Sequence, residues 1–188
     1  IETMALAGSI KRGLTPADDD ALAHELLDDP KNRHEHRVVA EMVRERLTPL
    51  TDQLDISDTP QILRLSNIQH LYTPVRGELK SASGVLPLVE RLHPTPAMGG
   101  VPQERAMDYI AHAEPVPRGW YASPIGMIDH NLDGEFAVAI RSAISQNERV
   151  WLYAGAGIMA DSTPQKEWDE TALKFKPMLD ALGAQAYA

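Results

Sequence analysis

Val38, Val39 and Met42 stand three, four and seven residues after Glu35, the spacing of one face of an α-helix. Trp168, Phe175, Leu179 and Leu182 mark a second such face near the other end of the chain. Start signals fix where the helices begin. Thr15-Pro16 followed by Asp18 supplies an N-cap, a proline in the first turn and an acidic third position. Asp29-Pro30 repeats the signal at once, so helices of about 16–28 and about 31–48 abut. Gly100-Val101-Pro102 opens a third helix over about 102–113, and Thr163-Pro164 a fourth over about 165–182 that Gly183 closes. Val85, Leu86, Leu88 and Val89 predict a short helix over about 84–91.

Elsewhere the period is two. Phe136, Val138 and Ile140 alternate with Ala137, Ala139 and Arg141 in a strand of about 134–144. Further strands fall at Gln61–Leu65, Leu71–Lys80, about 122–130 and about 149–156. Asn131-Leu132-Asp133-Gly134 and Gln146-Asn147 read as tight turns between them. Strands that arrive as consecutive hairpins indicate an α+β fold, an antiparallel sheet with helices packed on it. There is no internal repeat, low-complexity tract or linker, so the chain reads as one compact unit.

Composition narrows the function. The 188 residues carry 18 Lys+Arg against 27 Asp+Glu, a net charge of −9. That balance argues against nucleic acid as the main partner, because phosphate contacts need clustered cations. It leaves room for an acidic small molecule, which needs only one or two. The absence of cysteine excludes disulfides, thiolate catalysis and cysteine-ligated zinc. No apolar run is long enough to span a membrane. The chain opens Ile1-Glu2-Thr3-Met4 without a signal-peptide pattern, and the expectation is a piece of a longer protein.

Five clusters could carry chemistry. His34 and His36 stand at i and i+2 and point apart on a helix, and His24-Glu25 lacks a second histidine at zincin spacing, so zinc is not expected. Glu35 shares the apolar helical face, where a carboxylate needs an ion pair or a bound cation. Glu167, Glu170 and Lys174 lie across from the apolar side of the fourth helix, and Glu170 with Lys174 makes an i,i+4 pair suited to a solvated face. Arg141 beside two alanines has room to grip a carboxylate or to pair with a neighbouring acid. Gly155-Ala156-Gly157-Ile158-Met159-Ala160 matches a dinucleotide fingerprint on paper. The helix start, however, waits until Thr163, so the glycines read instead as a close backbone approach to an anionic ligand. The stretch Leu92 to Gly100 is a rigid loop, either a connector or a pocket wall.

Together these segments resemble the C-terminal half of the chorismate-utilising enzymes, which include the isochorismate, salicylate, anthranilate and aminodeoxychorismate synthases. The matching stretches are Leu6 to Ser9, Lys31 to His36, His93 to Ala97, Gly134 to Arg141, Ala154 to Ile158 and Glu167 to Thr171. They stand in the family's order and cover nearly the whole chain. Glu35-His36 together with His93-Pro94-Thr95-Pro96-Ala97 is most similar to the isochorismate synthase branch, and Arg118 to Gly126 to its menaquinone-pathway members.

The resemblance implies the C-terminal part, residues 1–188, of an anthranilate synthase component I-like chorismate-binding fold. It implies Glu35 and Glu170 as the ligands of Mg²⁺, which binds the ring carboxylate of chorismate. Arg141, Tyr121, Gly155 and Lys174 become the clamp on the enolpyruvyl carboxylate. Gly8 and Ser9 approach from the other side, His70 and Ala97 line the ring pocket with Met98 beside them, and Glu135 is structural. The implied reaction, in the cytoplasm, adds water at C2 of chorismate as the C4 hydroxyl leaves. The family's lysine base and glutamate acid lie upstream of the Leu6 to Ser9 motif, so the chain is expected to lack both and to self-associate through exposed apolar surface. Salicylate synthase, a siderophore-pathway isochorismate synthase and a non-catalytic chorismate-binding fragment are the alternatives.

Overall fold

One long strand, β4 (Ile68–Leu79), forms the middle of the main sheet. In this computed structural model, which describes residues 1–184, β1 (Glu2–Lys11) pairs antiparallel with one edge of β4. The other edge takes β2 (Thr51–Ile56) and β3 (Gln61–Arg64) in tandem. Thr73 and Val75 face the helices that cover the sheet, and His70 and Tyr72 therefore face the opposite side.

The covering helices are α1 (Pro16–Asp28) and α2 (Pro30–Leu47). Both begin as their sequences predict. Thr15 and Asp18 close a capping box on α1, and the Asp29 carboxylate accepts from the Asn32 N–H to cap α2. The buried stripe of α2 is His36, Val39, Val43 and Leu47, packed against Ala5, Ala7 and Val75. It is turned one residue from the face expected from Val38, Val39 and Met42, and Glu35 lies at its shoulder, not in its centre. Asp19 is buried at the α1–sheet contact, where Arg12, the Gly13 N–H and Gln69 all donate to it.

Sequence patterning marks neither β1 nor β2. The buried side of β1 is made by Ala5 and Ala7 and its other side carries Met4 and Leu6, so no polar/apolar alternation appears. β1 carries the device on which the site depends. Ala7 pairs with Leu71, but Ser9 pairs with His70, because the register shifts between them. Gly8 takes up the bulge with φ of +79°, a conformation glycine adopts without penalty. Without the bulge Ser9 would lie opposite Gln69 and face the helices.

The second half is built from short elements: α3 (Leu86–Leu92), α4 (Pro96–Gly99) and α5 (Gln103–Ala113), then two hairpins. The hairpins pair β5 (Pro124–Ile128) with β6 (Gly134–Val138), and β7 (Ser142–Gln146) with β8 (Arg149–Tyr153). The single strand expected over 134–144 is thus broken. β6 stops at Val138, and Arg141 sits in the break with φ of +48° instead of on a flat strand above two alanines. The anticipated single sheet is three sheets among the described residues.

The final helix, α6 (Pro164–Leu182), has the predicted limits and a left-handed Gly183 cap, but it is rotated from the expected orientation, with Phe175 and Leu179 only half-buried. Glu167 and Met178 are buried, whereas Trp168 is 72% exposed and Leu182 50% exposed. Glu167, Glu170 and Lys174 face the rest of the chain, whereas Lys166, Asp169, Lys176 and Asp180 are exposed.

Candidate functional site

A cavity of about 340 Å³ opens on the face of the main sheet away from α1 and α2. Its floor is the β1–β4 contact made by the bulge. Ser9 Oγ lies 2.8 Å from His70 Nδ1, and Arg141 Nη2 donates to His70 Nε2 at 2.7 Å. Burial pushes His70 down to about 4, and the neighbouring Arg141 guanidinium pushes the same way. Burial also lowers Arg141 below the usual arginine value, and its Nε–H is buried without a partner among the described residues. A buried guanidinium donor left free is an anion site in search of its anion.

One wall is the loop between β8 and α6. Lys174 Nζ donates to the Gly155 carbonyl at 2.9 Å and pairs with Glu170 at 2.7 Å. A methyl group on Gly155 would lie 2.8 Å from the Tyr121 hydroxyl, so the glycine is what lets Tyr121 reach in. The Tyr121 ring stacks on Tyr153 with centroids 5.6 Å apart, and Arg118 covers it at 5.9 Å. Burial raises the Tyr121 phenol above its ordinary value and keeps it a hydrogen-bond donor.

The same loop meets a carboxylate. Glu35, from the first turns of α2, lies against the backbone of Gly157. Burial raises its carboxyl, and the charge of Glu170 raises it further, while Lys174 and Lys31 pull the other way. Two carboxylates close enough to repel each other, one of them buried, suit a small hard cation whose remaining positions are filled by ligand oxygens and water. No group of three or more potential metal ligands occurs among the described residues.

Of the residues picked from the sequence, Gly8, Ser9, Glu35, His70, Ala97, Met98, Tyr121, Arg141, Gly155 and Lys174 all line this one cavity. Glu170 does not line it. It stands behind Lys174, one turn earlier on α6. Glu135 lies on β6 opposite Met127 and away from the cavity, as expected of a strand residue.

Two contacts were not anticipated. Lys31 Nζ donates to the Glu167 carboxylate, which ties the start of α2 to the start of α6. Arg118 grips Glu114 in a bidentate pair and donates to the Met98 carbonyl at 2.8 Å, bracing the Ala97–Met98 wall. The i,i+4 spacing of Glu114 and Arg118 is the only sequence signal for the second. Nothing local announces the first, which joins residues 136 positions apart.

An α+β scaffold that gathers Arg141, Lys174, Tyr121 and Glu35 around one cavity, with Glu170 behind Lys174, defines a protein with a charged site suited to a small anionic ligand. The model of the chorismate binding enzyme family matches residues 1–183, and the chain belongs to that family. It is 45% identical over 185 residues to isochorismate synthase MenF of Bacillus subtilis, covering 98% of this chain and 39% of that protein. It is 47% identical over 182 residues to the salicylate biosynthesis isochorismate synthase of Pseudomonas aeruginosa, covering 97% and 38%. Among solved structures, a putative 2,3-dihydroxybenzoate-specific isochorismate synthase from Bacillus anthracis superposes with a TM-score of 0.94 at 42% identity, covering 98% of this chain and 49% of that one. The chain therefore spans half or less of the length of the relatives it matches. No helix among the described residues is long and apolar enough to cross a membrane.

Proposed function

We propose that this chain binds chorismate with Mg²⁺ and supplies the substrate- and metal-binding part of an isochorismate synthase acting in the cytoplasm. The observation that carries the reading is the convergence of Arg141, Lys174, Tyr121, Ser9 and Glu35 on one cavity from five distant segments. Glu35 and Glu170 would hold the metal. Mg²⁺ would neutralise and orient the ring carboxylate of the substrate. Arg141 and Lys174 offset the charge of the enolpyruvyl carboxylate, and the Tyr121 hydroxyl donates to it. Ala97 and Met98 bound the ring and exclude bulk water from its face.

Moving the hydroxyl requires a base for the attacking water and an acid for the departing oxygen. The titratable groups on the cavity wall are engaged otherwise. Lys174 is tied to Glu170 and Gly155, Glu114 to Arg118, and both ring nitrogens of His70 have partners. We therefore assign this chain the binding and orientation of substrate and metal, and the base and acid to residues outside it. Menaquinone biosynthesis is the pathway we favour, on the Arg118 to Gly126 segment. A relative named for salicylate biosynthesis matches about as well as one named MenF, and product analysis separates the two routes.

Calorimetry with chorismate, with and without Mg²⁺, tests the reading. Binding that requires the metal and is lost in Arg141→Ala is expected. Failure to bind with Mg²⁺ present overturns it. Turnover to isochorismate by this chain alone, at a rate that Glu35→Gln abolishes, overturns the assignment of base and acid elsewhere.

A further inference from the structure

We propose that His70 is a positioning residue, locked by Arg141 as the neutral tautomer with its proton on Nδ1, and that it turns the Ser9 hydroxyl hydrogen toward the bound anion. The argument is one of donors and acceptors. A guanidinium has only N–H donors, so Arg141 Nη2, 2.7 Å from His70 Nε2, meets a lone pair there. The single ring proton must then be on Nδ1. Nδ1 lies 2.8 Å from Ser9 Oγ, so the ring donates and the hydroxyl accepts.

The Ser9 oxygen has no other partner among the described residues, and its own hydrogen is left pointing away from the ring that donates to it. Ser9 lines the cavity, so the open acceptor position is on the ligand side. The lock has a second consequence. With Nε2 covered by a permanent cation and the ring 3% exposed, His70 cannot pick up or release a proton in a catalytic cycle. It aligns a donor instead. The β1 bulge is what makes this possible, because only the shifted register puts Ser9 opposite His70.

The inference rests on the chorismate reading only for the identity of the anion; the tautomer does not depend on it. Nitrogen-15 NMR of the histidine-labelled protein at pH 7 measures the tautomer without any ligand, with His70→Asn identifying the resonance. A pyrrole-like Nδ1 and a pyridine-like Nε2 are expected. In Arg141→Met the lock is gone, and the ring should become a mixture of tautomers that titrates at higher pH. An imidazolium, or a proton on Nε2 in the unsubstituted protein, overturns the lock.

The second arm reads chorismate affinity with Mg²⁺. Ser9→Ala and His70→Leu should each weaken binding about tenfold, and the double variant no more than either alone, because one donor is lost in each case. His70→Asn, whose amide can replace the Nδ1 donor, should lose less than His70→Leu. Equal losses for Asn and Leu, or additive losses in the double variant, overturn the relay. No binding by the unsubstituted protein defeats the chorismate reading and leaves the NMR result standing.

Discussion

Glu35 and Gly157 are in direct contact: a methyl group on Gly157 would sit 2.7 Å from Glu35 Oε1. The glycine after β8 therefore reserves the position of a carboxylate on α2, 122 residues away in the chain. With Glu35 in its proposed role as a metal ligand, Gly157→Ala is expected to displace it and weaken Mg²⁺ binding roughly 10–100-fold, the usual cost of disturbing such a ligand's support. Its backbone dihedral is not left-handed, so the fold should survive. Metal titration by calorimetry, with circular dichroism as the control, reads both.

Glu35 costs the metal-free protein stability. Its carboxyl is raised by burial and then by Glu170, so the folded state holds the proton more tightly than the unfolded one. Stability contributed by the protonated form is fully present below the unfolded value and is lost as pH rises through the folded one. Glu35→Gln should thus raise the melting temperature at pH 7 without metal and abolish any rise on adding Mg²⁺. A melting temperature that falls without metal, or still climbs with it, contradicts this.

Lys31 neutralises a carboxylate that is only 8% exposed. Lys31→Met leaves Glu167 buried and unpaired, at an expected cost on the order of 3 kcal/mol. The double variant Lys31→Met, Glu167→Gln should recover most of it. Urea titration of the four proteins measures the coupling.

His70 makes the fold sensitive to acid. The unfolded chain binds a proton at the ordinary histidine value of 6.5 and the folded chain only near 4. The stability this represents is present above about pH 6.5 and is lost as pH falls towards 4. It amounts to on the order of 3 kcal/mol. Denaturant titrations at several pH values should show that slope, and His70→Asn should flatten it.

Each C-terminal hairpin is a two-stranded sheet, and β5 carries Ile125 at 54% and Met127 at 78% exposure. Isolated hairpins with bare apolar residues seek cover. The chain is expected to grow in apparent mass with concentration in light scattering, and Met127→Lys should reduce the effect. A monomer of constant mass for both proteins counts against it.

Helix starts were legible in the sequence because capping is local: Thr15, Asp18 and Asp29 act within one turn. The α+β class followed from hairpins in succession, and the family resemblance implied ten of the residues that line the cavity. Other features have no local signature. The charged side of α6 turns inward because Lys31, far away on α2, is there to meet Glu167. Arg141 leaves its strand for a left-handed turn, where its guanidinium meets His70. The amino-acid pattern by itself determined the longer helices and most of the strands, though not β1, β2 or α4, and the resemblance to a family supplied the residues of the site. Only the tertiary structure decided their orientation, since a bulge at Gly8, a break at Arg141 and a long-range ion pair are settled by contacts between segments.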